Sequence, residues 1–314
     1  MSQTTHARRH RTLDATIALL AAAGIVIVLL LLLRSSCAPA PTPVPSAKPG
    51  DAVLVTRSDD PAGAGSCSTT SGGNCSLRQA IADAMSGSGD VAFEPSLDGK
   101  PIMLMQGELH VTGTRAISIT GDGASRSLID GNGLSTHQRV FEVDAGSSLT
   151  LTAVTVRGGR NITGSGGGIR NSGTLTLSDT AITGNMTTGT ARAHGGGIDS
   201  HGTLTVVSTT VTSNVAAVPT ISAAPPWGAN GGGISATGKL SIVDSSISDN
   251  VSSFTFSGGL TQVLLTSASV RRCRACPAAS LLSGGGSGSG DGAGIELDQT
   301  TSPASIVGST VAHN

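Results

Sequence analysis

The sequence has no tyrosine, one tryptophan and four phenylalanines in 314 residues, too few for a globular core organised around aromatic side chains. Charge is scarce as well: 12% of the residues are Asp, Glu, Lys or Arg, and 19 basic against 20 acidic side chains leave a net charge of -1. Without a basic surplus there is no electrostatic footprint for a phosphate backbone, which excludes nucleic acid as a partner. What the sequence has is 44 glycines and 38% hydrophobic residues, with Val, Ile, Leu and Thr recurring throughout. That aliphatic content argues against disorder and for a narrow, repetitive interior filled by small side chains.

The first fifty residues read as export machinery. Arg8, Arg9 and Arg11 lie in a basic segment, residues 1–14, ahead of an apolar run over 15–33. That run is long enough to cross a bilayer, as a signal anchor or as a signal peptide. The positive-inside rule then places the rest of the chain outside, membrane-anchored or secreted at the cell surface. Cys37 admits a lipoprotein reading, although Arg34 stands where a lipobox carries an aliphatic residue. Residues 38–50 hold Pro39, Pro41, Pro43, Pro45 and Pro49 and form a stiff spacer.

A cap follows over 51–100. Cys67 and Cys75 flank a Ser/Thr/Gly-rich loop, and export into an oxidising compartment predicts a disulfide between them. Ser76 and Gln79 make a capping box; Leu77, Ala80, Ile81, Ala84 and Met85 follow at helical spacing, a short helix suited to covering an open sheet end. The run Cys75-Ser76-Leu77-Arg78-Gln79-Ala80-Ile81 resembles the signature of the CSLREA domain, with Gln79 where that motif has Glu. The resemblance implies an exported bacterial protein in which the motif precedes β-helical repeats.

Residues 101–314 carry the repeats. Five twelve-residue units align without gaps, starting at Ser148, Thr174, Thr203, Lys239 and Pro303, so the starts lie 26, 29, 36 and 64 residues apart. A constant unit joined by variable loops is solenoid behaviour. Position four is Leu151, Leu177, Val206, Ile242 and Ile306; position nine is Val156, Ile182, Val211, Ile247 and Val311. Ser and Thr fill alternate places, as in strands with one face inward. Asn185, Asn214, Asn250 and Asn314 close their units, where Asn suits a left-handed turn and a stacked amide ladder. Between units lie Gly166-Gly167-Gly168-Ile169, Gly195-Gly196-Gly197-Ile198, Gly231-Gly232-Gly233-Ile234 and Gly292-Ala293-Gly294-Ile295. This Gly-Gly-x-Ile and terminal Asn pattern is similar to polymorphic outer-membrane protein repeats, which implies an adhesin-like surface protein. The expected fold is all-β: a right-handed parallel β-helix of about seven coils spaced about 4.8 Å apart, with a capping helix and an N-terminal membrane segment.

Candidate chemistry is thin. Arg170, Asp199, Ser235 and Glu296 occupy equivalent places after the corners, and the expectation is a solvated row with an Arg170–Asp199 surface pair and no adjacent carboxylates. If the chain is an enzyme, Asp199 with Arg170 and His201 carries the activity. His194 and His201 flank Asp199 but read as exposed loop histidines, and no metal or cofactor is expected. Cys273 and Cys276, inside an insertion over 251–290 beside Arg271, Arg272 and Arg274, read as a local disulfide or free thiols. The favoured function is a non-catalytic surface protein of adhesion type, binding a polysaccharide, an envelope component or a surface protein. The alternative is a polysaccharide lyase or glycoside hydrolase on the same scaffold. The unit ending at Asn314 also suggests end-to-end self-association.

Overall fold

In a computed structural model, the structure describes residues 52–63, 67–190, 192–221, 228–256, 261–263, 294–297, 304–312 and 314. The apolar run over 15–33, the spacer, Cys37, the 271–276 segment with Cys273 and Cys276, and most of the 251–290 insertion lie outside them. Among the described residues no helix is long and apolar enough to cross a membrane.

The alternation read in the twelve-residue units produces strands, and each coil gives one strand to each of several sheets. From Ile169–Asn171 the chain turns into Thr174–Ser178, then Ala181–Thr183, then Met186–Thr188, before Ile198–Ser200 opens the next coil. Stacking the coils yields sheets of six, eight, seven and five strands respectively. Among the described residues every strand pair is parallel except Val251–Phe256 with Thr261–Val263. Registers follow the sequence units residue for residue: Leu151 pairs with Leu177, Leu177 with Val206, and Val206 with Ile242.

Inward residues form continuous aliphatic rows. Ile169, Ile198, Ile234 and Ile295 stack at the corners, and Val156, Ile182, Val211 and Ile247 stack in the seven-stranded sheet, all buried. Tight corners make this possible. Gly166, Gly195 and Gly231 take positive φ near +60°, and a Cβ on Gly167 would run into the carbonyl oxygens of Gly196 and Met186.

The closing asparagines behave differently from a left-handed cap. The positive φ falls one residue earlier, on Gly184, Ser213 and Asp249, while Asn185, Asn214 and Asn250 turn inward and are buried. Each donates through both its backbone N–H and its Nδ2 to the Oδ1 of the next: Asn185 to Asn214 at 3.0 Å, and Asn250 to Asn314 at 3.0 Å. The amide is spent on the interior because the bent backbone leaves N–H groups that the parallel ladder does not reach.

Residues 52–63 and 67–100 are continuous with the stack. Val53–Val55 and Asp90–Phe93 are the first two strands of the eight-stranded sheet, so the boundary drawn at residue 100 divides a single sheet. Helix α1, Leu77–Ser86, is capped by Ser76 Oγ on the Gln79 N–H and buries Leu77, Ala80, Ile81 and Ala84 across the open rung. A disulfide joins Cys67 to Cys75. Arg78, the fourth residue of the Cys75–Ile81 run, bolts the helix down: its guanidinium meets the buried Asp60 at 2.8–2.9 Å and the carbonyls of Gly107 and Glu108 at 2.7 Å.

Candidate functional site

Parallel register turns single outward positions into rows. On the six-stranded sheet the row reads His110, Glu142, Arg170, Asp199, Ser235, Glu296. The last four are the residues singled out by the glycine corners. Glu142 and His110 were missed because their coils lack the corner: Val140-Phe141 stands where Gly168-Ile169 stands one coil later. The turn into the next strand, Asp144 to Ser147, is also two residues longer than Ser172-Gly173. The alternation Phe141-Glu142-Val143 was the available signal.

This row is not a solvated face. Asp199 is 1% exposed. Its Oδ2 accepts a hydrogen bond from Ser165 Oγ and lies 3.1 Å from His201 Nε2. Ser165 arrives there because Asn161 Oδ1 gathers the N–H and hydroxyl of Thr163 at 2.9 and 2.8 Å, and because Ser165 bridges to His194. The loop between corners therefore folds over the sheet, which residue spacing alone could not show. Nor does Arg170 pair with Asp199. Its Nη1 reaches Glu142 Oε1 at 3.2 Å on the preceding rung, since Asp199 is already committed to Ser165 and His201.

Glu142 is held from two sides, with Arg139 Nη1 2.7 Å from its Oε2. Arg139 is nearly buried, and its Nε lies 3.5 Å from Glu108 Oε2 without a hydrogen bond. Two carboxyl groups thus flank one guanidinium, outside the four residues after the glycine corners, where Ser235 stands between Asp199 and Glu296 as expected. Burial pushes the Glu108 carboxyl up from the ordinary range; Arg139 opposes the rise, and the adjoining Glu142 adds to it. His110 turns away to Asp144, 2.8 Å distant and exposed.

His201 is half exposed and bridges two groups, Asp199 through Nε2 and Thr237 Oγ1 through Nδ1 at 3.0 Å. The hydrogen bond that its Nε2–H donates to Asp199 raises its pKa above the ordinary histidine value, with burial and Arg170 acting the other way. Among the described residues no group of three His, Cys, Asp or Glu side chains is placed to hold a metal ion.

A second outward row lies on the eight-stranded sheet: Ser118, Thr150, Thr176, Thr205, Ser241 and Ser305 stand in register, one hydroxyl per coil. From Ser118 to Ser241 their inward neighbours on either side, such as Leu175 and Leu177 around Thr176, are buried, so the hydroxyls lie on the outer side of the sheet.

No protein-family model, no curated protein and no solved structure matches the chain significantly.

Proposed function

We propose that the chain is a right-handed parallel β-helix of the CSLREA kind with outer-membrane-protein-like repeats. In this reading it is carried outside the cytoplasm by its N-terminal segment and binds an extended polysaccharide. The observation that carries the binding assignment is the in-register hydroxyl row on the eight-stranded sheet. Hydroxyls spaced about 4.8 Å apart along a rigid face offer a sugar polymer repeated donors and acceptors without ordering any side chain of high entropy. An oligosaccharide matched to that repeat gains contacts over several coils at once, which favours long ligands over short ones.

The test is a glycan array probed with the full chain, beside Thr176→Val and Thr205→Val in one variant, which removes two hydroxyls and keeps β-branched side chains in the strands. Binding that weakens about 10-fold or more in the variant supports the proposal, at about 1 kcal/mol per hydrogen bond lost. Array binding unchanged by the variant, or no glycan bound at all, sinks it. The hydrolase or lyase alternative has one observation in its favour, the unequal environments of Glu108 and Glu142 around Arg139. Release of reducing ends by the same preparation would move the assignment to it.

A further inference from the structure

Each strand of the six-stranded sheet from Ile169–Asn171 to Ile234–Ala236 ends in a polar residue followed by glycine: Ser172-Gly173, His201-Gly202, Thr237-Gly238. Stacking sets the second and third of these turns side by side, with Thr237 Oγ1 3.0 Å from His201 Nδ1. On the other edge of the same ring, Nε2 lies 3.1 Å from Asp199 Oδ2. A carboxylate only accepts hydrogen bonds, so in the neutral ring Nε2 carries the proton, Nδ1 presents its lone pair, and the Thr237 hydroxyl is the donor. A hydroxyl, an imidazole within reach of it, and a third group fixing the imidazole are the parts of an activated nucleophile.

The surroundings suit those roles. The Asp199 side chain is 2% exposed and is further fixed by Ser165 Oγ, whereas the His201 side chain is 47% exposed and Thr237 partly so. A substrate can therefore reach the hydroxyl and the ring but not the carboxylate. The N–H of Gly238, next after Thr237, donates to no backbone carbonyl among the described residues, and a backbone N–H is the type of donor an oxyanion takes.

We propose that Thr237 and His201 form a catalytic site for hydrolysis of carboxylic esters, with Thr237 as nucleophile, His201 as general base and Asp199 as the positioning residue. Thr237 Oγ attacks the ester carbonyl carbon while its proton passes to His201 Nδ1. The bond to the leaving alcohol breaks as His201 returns that proton to the alcohol oxygen. Water then attacks the Thr237 acyl ester by the same route, releasing the carboxylic acid and restoring the hydroxyl. The site is independent of the hydroxyl row and of any polysaccharide.

The full chain is assayed with p-nitrophenyl acetate and, separately, with an alkyl fluorophosphonate followed by peptide mass spectrometry. Expected are saturable hydrolysis, an adduct on Thr237, and loss of about 100-fold or more in rate for Thr237→Val and for His201→Ala. Thr237→Ser should keep the activity. Thr237→Val changes a partly exposed turn, so its circular dichroism and unfolding temperature should match the parent and separate loss of chemistry from loss of fold. The groups facing His201 are Asp199, Arg170 and Thr237. With its pKa raised, the rate should climb with pH through a value above about 6.5. In Asp199→Asn that inflection should move down as the rate falls. Hydrolysis no faster than an equal concentration of free imidazole, or Thr237→Val active and unlabelled like the parent, overturns the proposal.

Discussion

Asp60 shows how much one side chain can hold. Its side chain is 2% exposed, and its carboxylate accepts two bonds from Arg78 and two from the backbone N–H groups of Met105 and Gln106 at 3.0 and 2.9 Å. Burial pushes its pKa up, but Arg78 and those two amides outweigh it and hold it below the usual range. A carboxyl with a depressed folded pKa contributes stability that is complete above its unfolded value of about 3.9 and is lost as pH falls through the folded value. Asp60→Asn should therefore cost about 1.5–3 kcal/mol at neutral pH, and urea unfolding should show its gap from the parent closing as pH falls below about 4. A gap that is constant with pH would assign the loss to packing. Neither role was legible: Arg78 stood only as one residue of the Cys75–Ile81 run, and a lone acid in a loop such as Asp60 gives no hint of amides 45 residues away. The same holds for Ser165 and Thr237, whose partners sit a coil or more off in sequence.

At the scale of the element, the twelve-residue unit was readable because each position has one duty. Positions four and nine are inward, and the alternation between them fixes the strands. Turn lengths and the loops between corners were not readable, because their conformation depends on the coil they fold over. The asparagine closing the unit belongs to this scale, since its bonds tie three coils. Asn214 Oδ1 accepts from Asn185 twice, and its Nδ2 donates to Ile182 and Thr212 carbonyls and to Asn250 Oδ1. Asn214→Ala leaves those buried groups unpaired, at about 1–3 kcal/mol each before relaxation. Calorimetry should place the variant at least about 3 kcal/mol below the parent. Asn214→Asp should do no better at neutral pH, because a carboxylate accepts but cannot donate to those carbonyls. A loss under about 1 kcal/mol in both would mean that water replaces the amide and that the ladder is incidental.

At the scale of the stack, the described residues form a series of coils, each hydrogen-bonded to its neighbours through the strand ladders. In such an array stability is the sum of each coil's own term and its interfaces, so a complete coil is removable where its two cut ends are equivalent. Thr174 pairs with Thr203, and the Asn185 and Asn214 of these coils are 29 residues apart. Excising residues 174–202 joins Gly173 to Thr203 with every later register intact: Ile234 then stacks on Ile169, and Asn214 meets the Gly159 N–H that Asn185 now serves. The shortened chain should keep its β-type circular dichroism and unfold cooperatively at a lower temperature. It loses one of six hydroxyls from the polysaccharide face but both Asp199 and His201, so glycan binding should weaken modestly while ester hydrolysis disappears. A deletion that abolishes folding would show that the coils are not interchangeable. That would place the fold's specificity in contacts peculiar to this coil, such as Ser165 with Asp199 and Thr237 with His201, rather than in the repeated rows.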